Sequence, residues 1–334
     1  MNRKLSPATI RSYRGGWKRF RQWLASEYPG ADPFEADADT VAAFVVDLVH
    51  GATLSDGTEL KPSTPATAVQ RIVAINHYRR ERGLPPFKRG EGTIAEALHT
   101  VRRAAPPTKQ AKALRRTDLE TICDMLEHRT RCGRVDRRNR AGNILYTDWP
   151  HEPDARCRFR NPTPDAVSSA LAMKAYVRVS FGALLRVSEC VALRWRDVKP
   201  HPEEKGWGEV HIRRSKTDQY GEGAVRSVEP EVMDALRAWK RRSRTARPKD
   251  YVFPWRRPGN YTRRLKLAAR DAGLADPEGY SSHSLRIGRA VELAAAGASV
   301  FEIMSAGRWK DPAIAERYCQ QADRARADAA LRRL

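Results

Sequence analysis

The sequence predicts a mainly α-helical chain with one small antiparallel sheet, an α+β architecture in two domains. Three features of its 334 residues carry that expectation. Apolar residues recur every three or four positions over most of the chain, the period of a helix with one buried face. Only around 208–228 does the period switch to two, as in paired strands. Residues 105–113 are proline-rich and basic, with no amphipathic spacing, so they read as an extended linker between domains 1–104 and 114–334. The length suits two cores rather than one, and an apolar content of 41% is enough to build them.

The first domain reads as four helices. Ser6 caps the first, with Pro7 at its opening position, and Ile10, Tyr13, Trp17, Phe20 and Leu24 form its apolar stripe before Pro29-Gly30 stops it. A second helix spans about 37–50, with Val41, Phe44, Val45 and Leu48 inward, and a turn-rich loop follows at 51–61. Ser63 or Thr64 starts a third through Ile72 to Asn76, ending near Gly83. A fourth covers about 92–103 with Ile94, Leu98 and Val101 on one side.

In the second domain, Thr117-x-x-Glu120 has the form of a capping box for a helix carrying Leu119, Ile122, Cys123 and Leu126. Residues 129–164 are rich in Arg, Asp, Asn and Pro without a sustained period, which predicts an exposed insertion. A helix over 168–184 follows, then a short one capped by Ser188. Residues 208–213 and 224–228 form a β-hairpin with Lys216 near its tip. Pro230 opens a helix through Met233, Leu236 and Trp239. Further helices are expected at about 261–272, 282–296, 300–305, 312–319 and from 322 to the end.

Charge sets the class of partner. Lys and Arg number 62 against 40 Asp and Glu, a net of +22. Such an excess stays on surfaces and attracts polyanions, nucleic acid above all. The sequence has no run of 18 apolar residues and no signal-peptide core at its start, so neither a membrane span nor secretion is expected. Five scattered cysteines do not make a disulfide framework. His128, Cys132, His151 and Cys157 lack the tight Cys-x-x-Cys pair that anchors a zinc site. These features predict a cytoplasmic protein, nucleoid-associated when bound to DNA.

Four motifs then stand in order. They are Gly182-Ala183-Leu184-Leu185-Arg186-Val187-Ser188-Glu189; Ser215-Lys216-Thr217; His283-Ser284-Leu285-Arg286; and Gly307-Arg308-Trp309, with Tyr318 nine residues beyond the tryptophan. The set resembles the tyrosine recombinases, or phage integrase family, in a form where a tryptophan replaces the usual second histidine. The C-terminal motifs are specific, whereas domain 1–104 matches in size, helicity and place.

The resemblance implies a four-helix core-binding domain that grips DNA, joined to a catalytic domain. It implies that Tyr318 attacks a phosphodiester to give a 3′-phosphotyrosyl bond and a free 5′-hydroxyl, with no metal or other cofactor. The chemistry suits these residue types. Arg186 and Arg286 offer fixed donors to the nonbridging oxygens as charge builds up. Trp309 adds a donor-only indole N–H. A phenol of pKa about 10 needs help to lose its proton, and His283 is placed to accept it or to bind the phosphate. Lys216 would protonate the leaving 5′-oxygen, and Glu189 would orient Arg186 and His283.

The implied function is site-specific recombination of double-stranded DNA at an inverted-repeat site. A homotetramer would exchange strands in pairs through a Holliday junction, with its C-terminal helix docking into a neighbouring protomer. Residues alone also permit that helix to fold back on its own domain. Accessory proteins are compatible with the sequence but not required by it. The alternatives are a type IB topoisomerase-like or telomere-resolving enzyme, which the short N-terminal unit disfavours, and a non-catalytic basic DNA-binding protein, which the complete motif set disfavours.

Overall fold

A computed structural model describes residues 5–106, 111–131, 137–138, 144–145, 163–213, 223–244 and 246–331. The chain divides into two compact units, Met1–Lys109 and Gln110–Leu334.

The first unit holds α1 (Pro7–Glu27), α2 (Ala38–His50), α3 (Pro65–Glu81) and α4 (Gly92–Ala104). Ser6, Asp37 and Thr64 cap the first three, each accepting from a backbone N–H three residues on, and each cap stabilises by about 1 kcal/mol. The core gathers Trp17, Phe20, Trp23, Phe44, Leu48, Ile72, Ile75, Leu98 and Val101. Trp23, absent from the expected stripe, is buried and donates its indole N–H to Asp47 at 2.8 Å. Ile10 is instead exposed. Tyr13, one turn further along, meets His77 of α3. Within the loop at 51–61, β1 (Ala52–Thr53) and β2 (Glu59–Leu60) pair antiparallel.

The second unit is built on α5 (Arg116–Arg131) and α6 (Pro164–Gly182), with β3 (Arg137–Arg138) paired to β4 (Ile144–Leu145) between them. Of the expected insertion at 129–164, residues 129–131 continue α5 and 163–164 open α6, while the remainder apart from β3 and β4, with Cys132, His151 and Cys157, lies outside the described residues. Then come α7 (Val187–Ala192), β5 (Val198–Pro200), β6 (Gly208–Ile212), β7 (Ala224–Val228), α8 (Pro230–Arg242) and α9 (Pro258–Asp271). Last are α10 (Ser284–Ala295), α11 (Val300–Gly307) and α12 (Pro312–Leu331). Among the described residues no helix is long and apolar enough to cross a membrane.

Helix α6 is the centre of this unit. Val167, Ala170, Met173, Tyr176, Val177, Val179 and Phe181 bury most of its circumference against α5, α8, α9 and α10. The sheet has the order β5-β6-β7, all antiparallel, with Val198 opposite Val210 and Gly208 opposite Val228. A further apolar cluster joins α10, α11 and α12 through Ile287, Val291, Ile303, Ala315 and Tyr318.

Several boundaries differ from expectation, each for a local reason. Thr117 is inside α5 rather than capping it, because Glu120 turns its carboxylate to Arg178 instead of back to the helix start. Helix α6 starts earlier, where Thr163 accepts from the Ala166 N–H. Ser188 is within α7, whose cap position is Arg186. Strand β5 escapes a period-two reading because it has three residues and ends in proline, as edge strands tolerate. The two expected C-terminal helices are one, since Gln320-Gln321 supplies helix formers and no break. Its distal turns pack on α10 of the same chain, where Arg326 donates to the Ala294 and Ala295 carbonyls.

Candidate active site

The site starts from a backbone turn that few residues accept. After α6, Leu184 takes φ 47°, a left-handed conformation that costs a branched residue roughly 1–2 kcal/mol. The turn frees the Leu184 carbonyl and leads into Arg186, which stands in extended conformation ahead of α7. Glu189, in the first turn of α7, accepts from the Arg186 backbone N–H at 2.9 Å and from its guanidinium at 3.0 Å. One carboxylate thus both closes the helix start and aims the arginine.

Helix α10 brings the second arginine. The chain at Leu114 runs so close to α10 that a Cβ at Gly288 would lie 1.7 Å from the Leu114 carbonyl oxygen, so only glycine fits there. Two residues earlier in α10, Arg286 is fully buried. Its guanidinium donates to the carbonyls of Leu184 and Gly307, and its Nε–H has no partner among the described residues. His283 precedes the helix and keeps access to solvent. Partial burial, then Arg286 and Arg186, hold its pKa below the usual imidazole value.

Helix α11 ends by placing the indole. Arg308 takes φ 56°, and the Trp309 N–H closes back on the Met304 carbonyl at 3.0 Å, a Schellman-type end. Arg226 on β7 covers the remaining end carbonyls, with Nε donating to Ala306 at 3.1 Å and Nη2 to Ser305 at 2.5 Å. The Trp309 ring then lies across Gly307, where a Cβ would fall inside the ring. The Arg286 guanidinium carbon is 4.4 Å from the ring centre of Trp309, a cation–π contact. On α12, the Tyr318 ring is 5.1 Å from the Trp309 ring and 6% exposed. Burial raises the phenol pKa, while Arg286 and Arg317 pull it back down.

The structure therefore brings Arg186, Glu189, His283, Arg286, Trp309 and Tyr318 into one neighbourhood. Lys216 lies outside the described residues. Glu189 does half of what was expected. Its carboxylate holds Arg186 and Arg308, and among the described residues it makes no bond to His283. Sequence reasoning missed Arg308 and Arg226 as parts of the site. Arg308 stands inside the Gly307-Arg308-Trp309 motif and Arg226 inside the hairpin without an assigned role, and a left-handed arginine leaves no trace in a sequence.

Two guanidiniums, those of Arg186 and Arg308, pair with one carboxylate, Glu189, and the charge of Arg286 lies within the field of all three. Burial first, then Arg186 and Arg308, pull the Arg286 pKa down to about 9. A pocket with that surplus of positive charge, out of water, is stabilised by an anion that accepts several hydrogen bonds, and a phosphodiester meets the description. Arg286 spends two of its five N–H bonds on carbonyls and keeps the rest.

A model of the phage integrase family matches residues 161–325, all within the second unit. The recombinase Cre of Escherichia phage P1 is 24% identical over 282 residues, covering 77% of this chain and 71% of its own. Among solved structures, the XerH site-specific recombinase bound to palindromic difH substrate, in a post-cleavage complex, superposes with a TM-score of 0.58 at 11% identity. It covers 97% of this chain and 79% of that one. A lambda integrase tetramer bound to a Holliday junction gives a TM-score of 0.52 at 17% identity, over 95% of this chain and 73% of that one. Residues 161–325 of the second unit thus form a phage integrase family domain, the family of the site-specific tyrosine recombinases.

Proposed function

We propose that this recombinase cuts and rejoins double-stranded DNA through Tyr318. The phenol oxygen forms a bond to the scissile phosphorus, the bond from phosphorus to the 5′-oxygen breaks, and a 3′-phosphotyrosyl ester remains. The phenol proton passes toward His283, which is neutral at pH 7 because its pKa is lowered. The departing 5′-oxygen takes a proton from Lys216, which falls between β6 and β7 in the sequence. Arg186, Arg286 and Trp309 donate to the nonbridging oxygens as negative charge grows. A second 5′-hydroxyl attacking the ester reverses the steps and rejoins the strand, so the bond energy is conserved without a cofactor.

The observation that carries this reading is the surplus of buried guanidinium charge beside the Tyr318 ring. The family membership and the Cre relative give it its reaction class. By the same analogy the DNA site would be an inverted repeat, with domain 1–104 gripping one half-site together with the catalytic unit. Four copies would assemble around a Holliday junction, as the lambda integrase tetramer does. Exchange of the distal α12 turns between copies would have to break the Arg326 bonds to Ala294 and Ala295.

The test uses nicked suicide duplexes carrying sites that the full chain selects from a randomised pool. A covalent adduct that disappears in Tyr318→Phe is the expected result. No adduct on any selected site would leave a DNA-binding protein. Strand exchange between two duplexes, rather than relaxation of supercoils, separates a recombinase from a topoisomerase.

A further inference from the structure

Residue 308 is a costly place for an arginine. Its backbone is left-handed at φ 56° and ψ 44°, where glycine would be at ease. The side chain turns inward and is only 10% exposed. Nη2 donates to Glu189 at 2.7 Å and to the Leu184 carbonyl at 3.1 Å, and the Nη1 contact to Ala183 is 3.5 Å. The backbone carbonyl of Arg308 accepts from the Arg186 guanidinium at 3.3 Å. One residue thus touches Arg186 through its own carbonyl and again through the carboxylate that Arg186 shares.

Glu189 has two oxygens, and their partners differ. Oε1 takes the Arg186 side chain, whereas Oε2 takes the Arg186 N–H and the Arg308 guanidinium. Without the Arg308 charge, the full attraction of a buried carboxylate would fall on Arg186, pulling that guanidinium down into the protein. With Arg308 in place, the carboxylate is shared and its pull is divided between two guanidiniums instead of falling on Arg186 alone. The Leu184 carbonyl adds a second link, since it accepts from both Arg286 and Arg308. Those two bonds fix the spacing of the cations on either side of the turn.

From this geometry we infer that Arg308 is a positioning residue for the cleavage step, a buried guanidinium that shares Glu189 with Arg186 so that Arg186 can face the scissile phosphate. It does not meet the DNA itself. The inference rests on the phosphotyrosyl reading above and adds to it a residue whose charge acts through its neighbours. The strained backbone is consistent with that role: the fold tolerates a poor conformation at 308 because the side chain is held by three oxygen contacts across the site and the backbone carbonyl receives Arg186.

The test compares the full-length parent with Arg308→Gly and Arg308→Lys on the same selected suicide duplexes. Glycine relieves the backbone and removes the guanidinium, so folding and charge are separated in one substitution. The expected result for Arg308→Gly is half-site affinity within about twofold of the parent and an unchanged adduct amplitude. Its single-turnover cleavage rate should be lower by about 10-fold to 100-fold, the scale of a small misplacement of a reacting group. Arg308→Lys, which keeps the charge with a poorer fork, should recover part of that rate. A cleavage rate for Arg308→Gly equal to the parent's overturns the inference. So does a loss confined to amplitude or to DNA affinity, which would mark a folding or contact role. A parent that forms no adduct at all fails at an earlier and separate point, because it overturns the phosphotyrosyl reading and takes this inference with it.

Discussion

The guanidinium of Arg286 stands over the indole of Trp309, 4.4 Å from its centre, and the Tyr318 ring neighbours the same indole at 5.1 Å. Trp309 is therefore a platform and, in the proposed cleavage, also a donor, and the two roles separate by substitution. Trp309→Phe keeps a ring for Arg286 and Tyr318 but loses the Nε1–H. Losing one preorganised donor to a developing oxyanion costs on the order of 10²-fold to 10³-fold in rate. Trp309→Ala also removes the cation–π contact, about 0.5–2 kcal/mol, and loosens the tyrosine. Single-turnover cleavage should fall in the order parent, Phe, Ala. Equal rates for the Phe and Ala variants would show that the ring is not a platform.

The acid side of the pH profile should belong to His283. Burial and then the charges of Arg286 and Arg186 lower its pKa from the usual 6.5, so the ring is neutral at pH 7 and able to accept a proton. The sign follows from linkage. The folded state binds this proton less readily than the unfolded chain, so the group's contribution to stability is present above 6.5. It is lost as pH falls through the lowered folded value. Cleavage at subsaturating protein reports the free protein's ionisation. Its acid limb should fall below pH 6.5 and vanish in His283→Gln. A limb above 6.5 in the parent would mean that His283 is held charged instead.

Gly307 predicts a failure of packing rather than of chemistry. A methyl there would fall inside the Trp309 ring, and the Gly307 carbonyl is also an acceptor for Arg286. Gly307→Ala must displace the indole or bend the end of α11, and overpacking of this kind costs about 1–3 kcal/mol. Thermal melting should show the loss, and cleavage should fall with it. Gly297→Ala is a control of a different kind. Its site is open, and only the φ of 92° opposes a side chain, so stability drops while the rate of correctly folded protein stays near the parent's.

Periodicity made the helices legible, and ordered motifs made most of the site legible, because both depend on residues close together in the chain. What stayed hidden depends on long-range geometry. Ser188 and Thr117 have capping chemistry, yet Glu189 and Glu120 found arginines that outcompeted the local pattern. No motif assigns a role to Arg308 or Arg226, and only the fold reveals that they end on Glu189 and on the last carbonyls of α11. The break expected near 320 had no glycine or proline behind it, and the helix ran through.

Arg79 carries the same lesson into the first unit, where basic residues are expected to meet DNA. Its guanidinium is spent inside the protein, with Nε donating to the Pro85 carbonyl at 2.9 Å and Nη1 to those of Phe34 and Ala36 at 3.0 and 3.4 Å. It also stacks 4.1 Å from the Phe87 ring centre. Burial lowers its pKa, the mark of a charge withdrawn from water. Arg79→Ala should destabilise this unit by about 2–4 kcal/mol, since hydrogen bonds from a charged donor are lost and buried carbonyls are left unpaired. The salt dependence of DNA binding, measured well below the variant's melting temperature, should keep the parent's slope. A true phosphate contact would reduce that slope by about one. A reduced slope with unchanged melting would place Arg79 on the DNA and contradict its position in the fold.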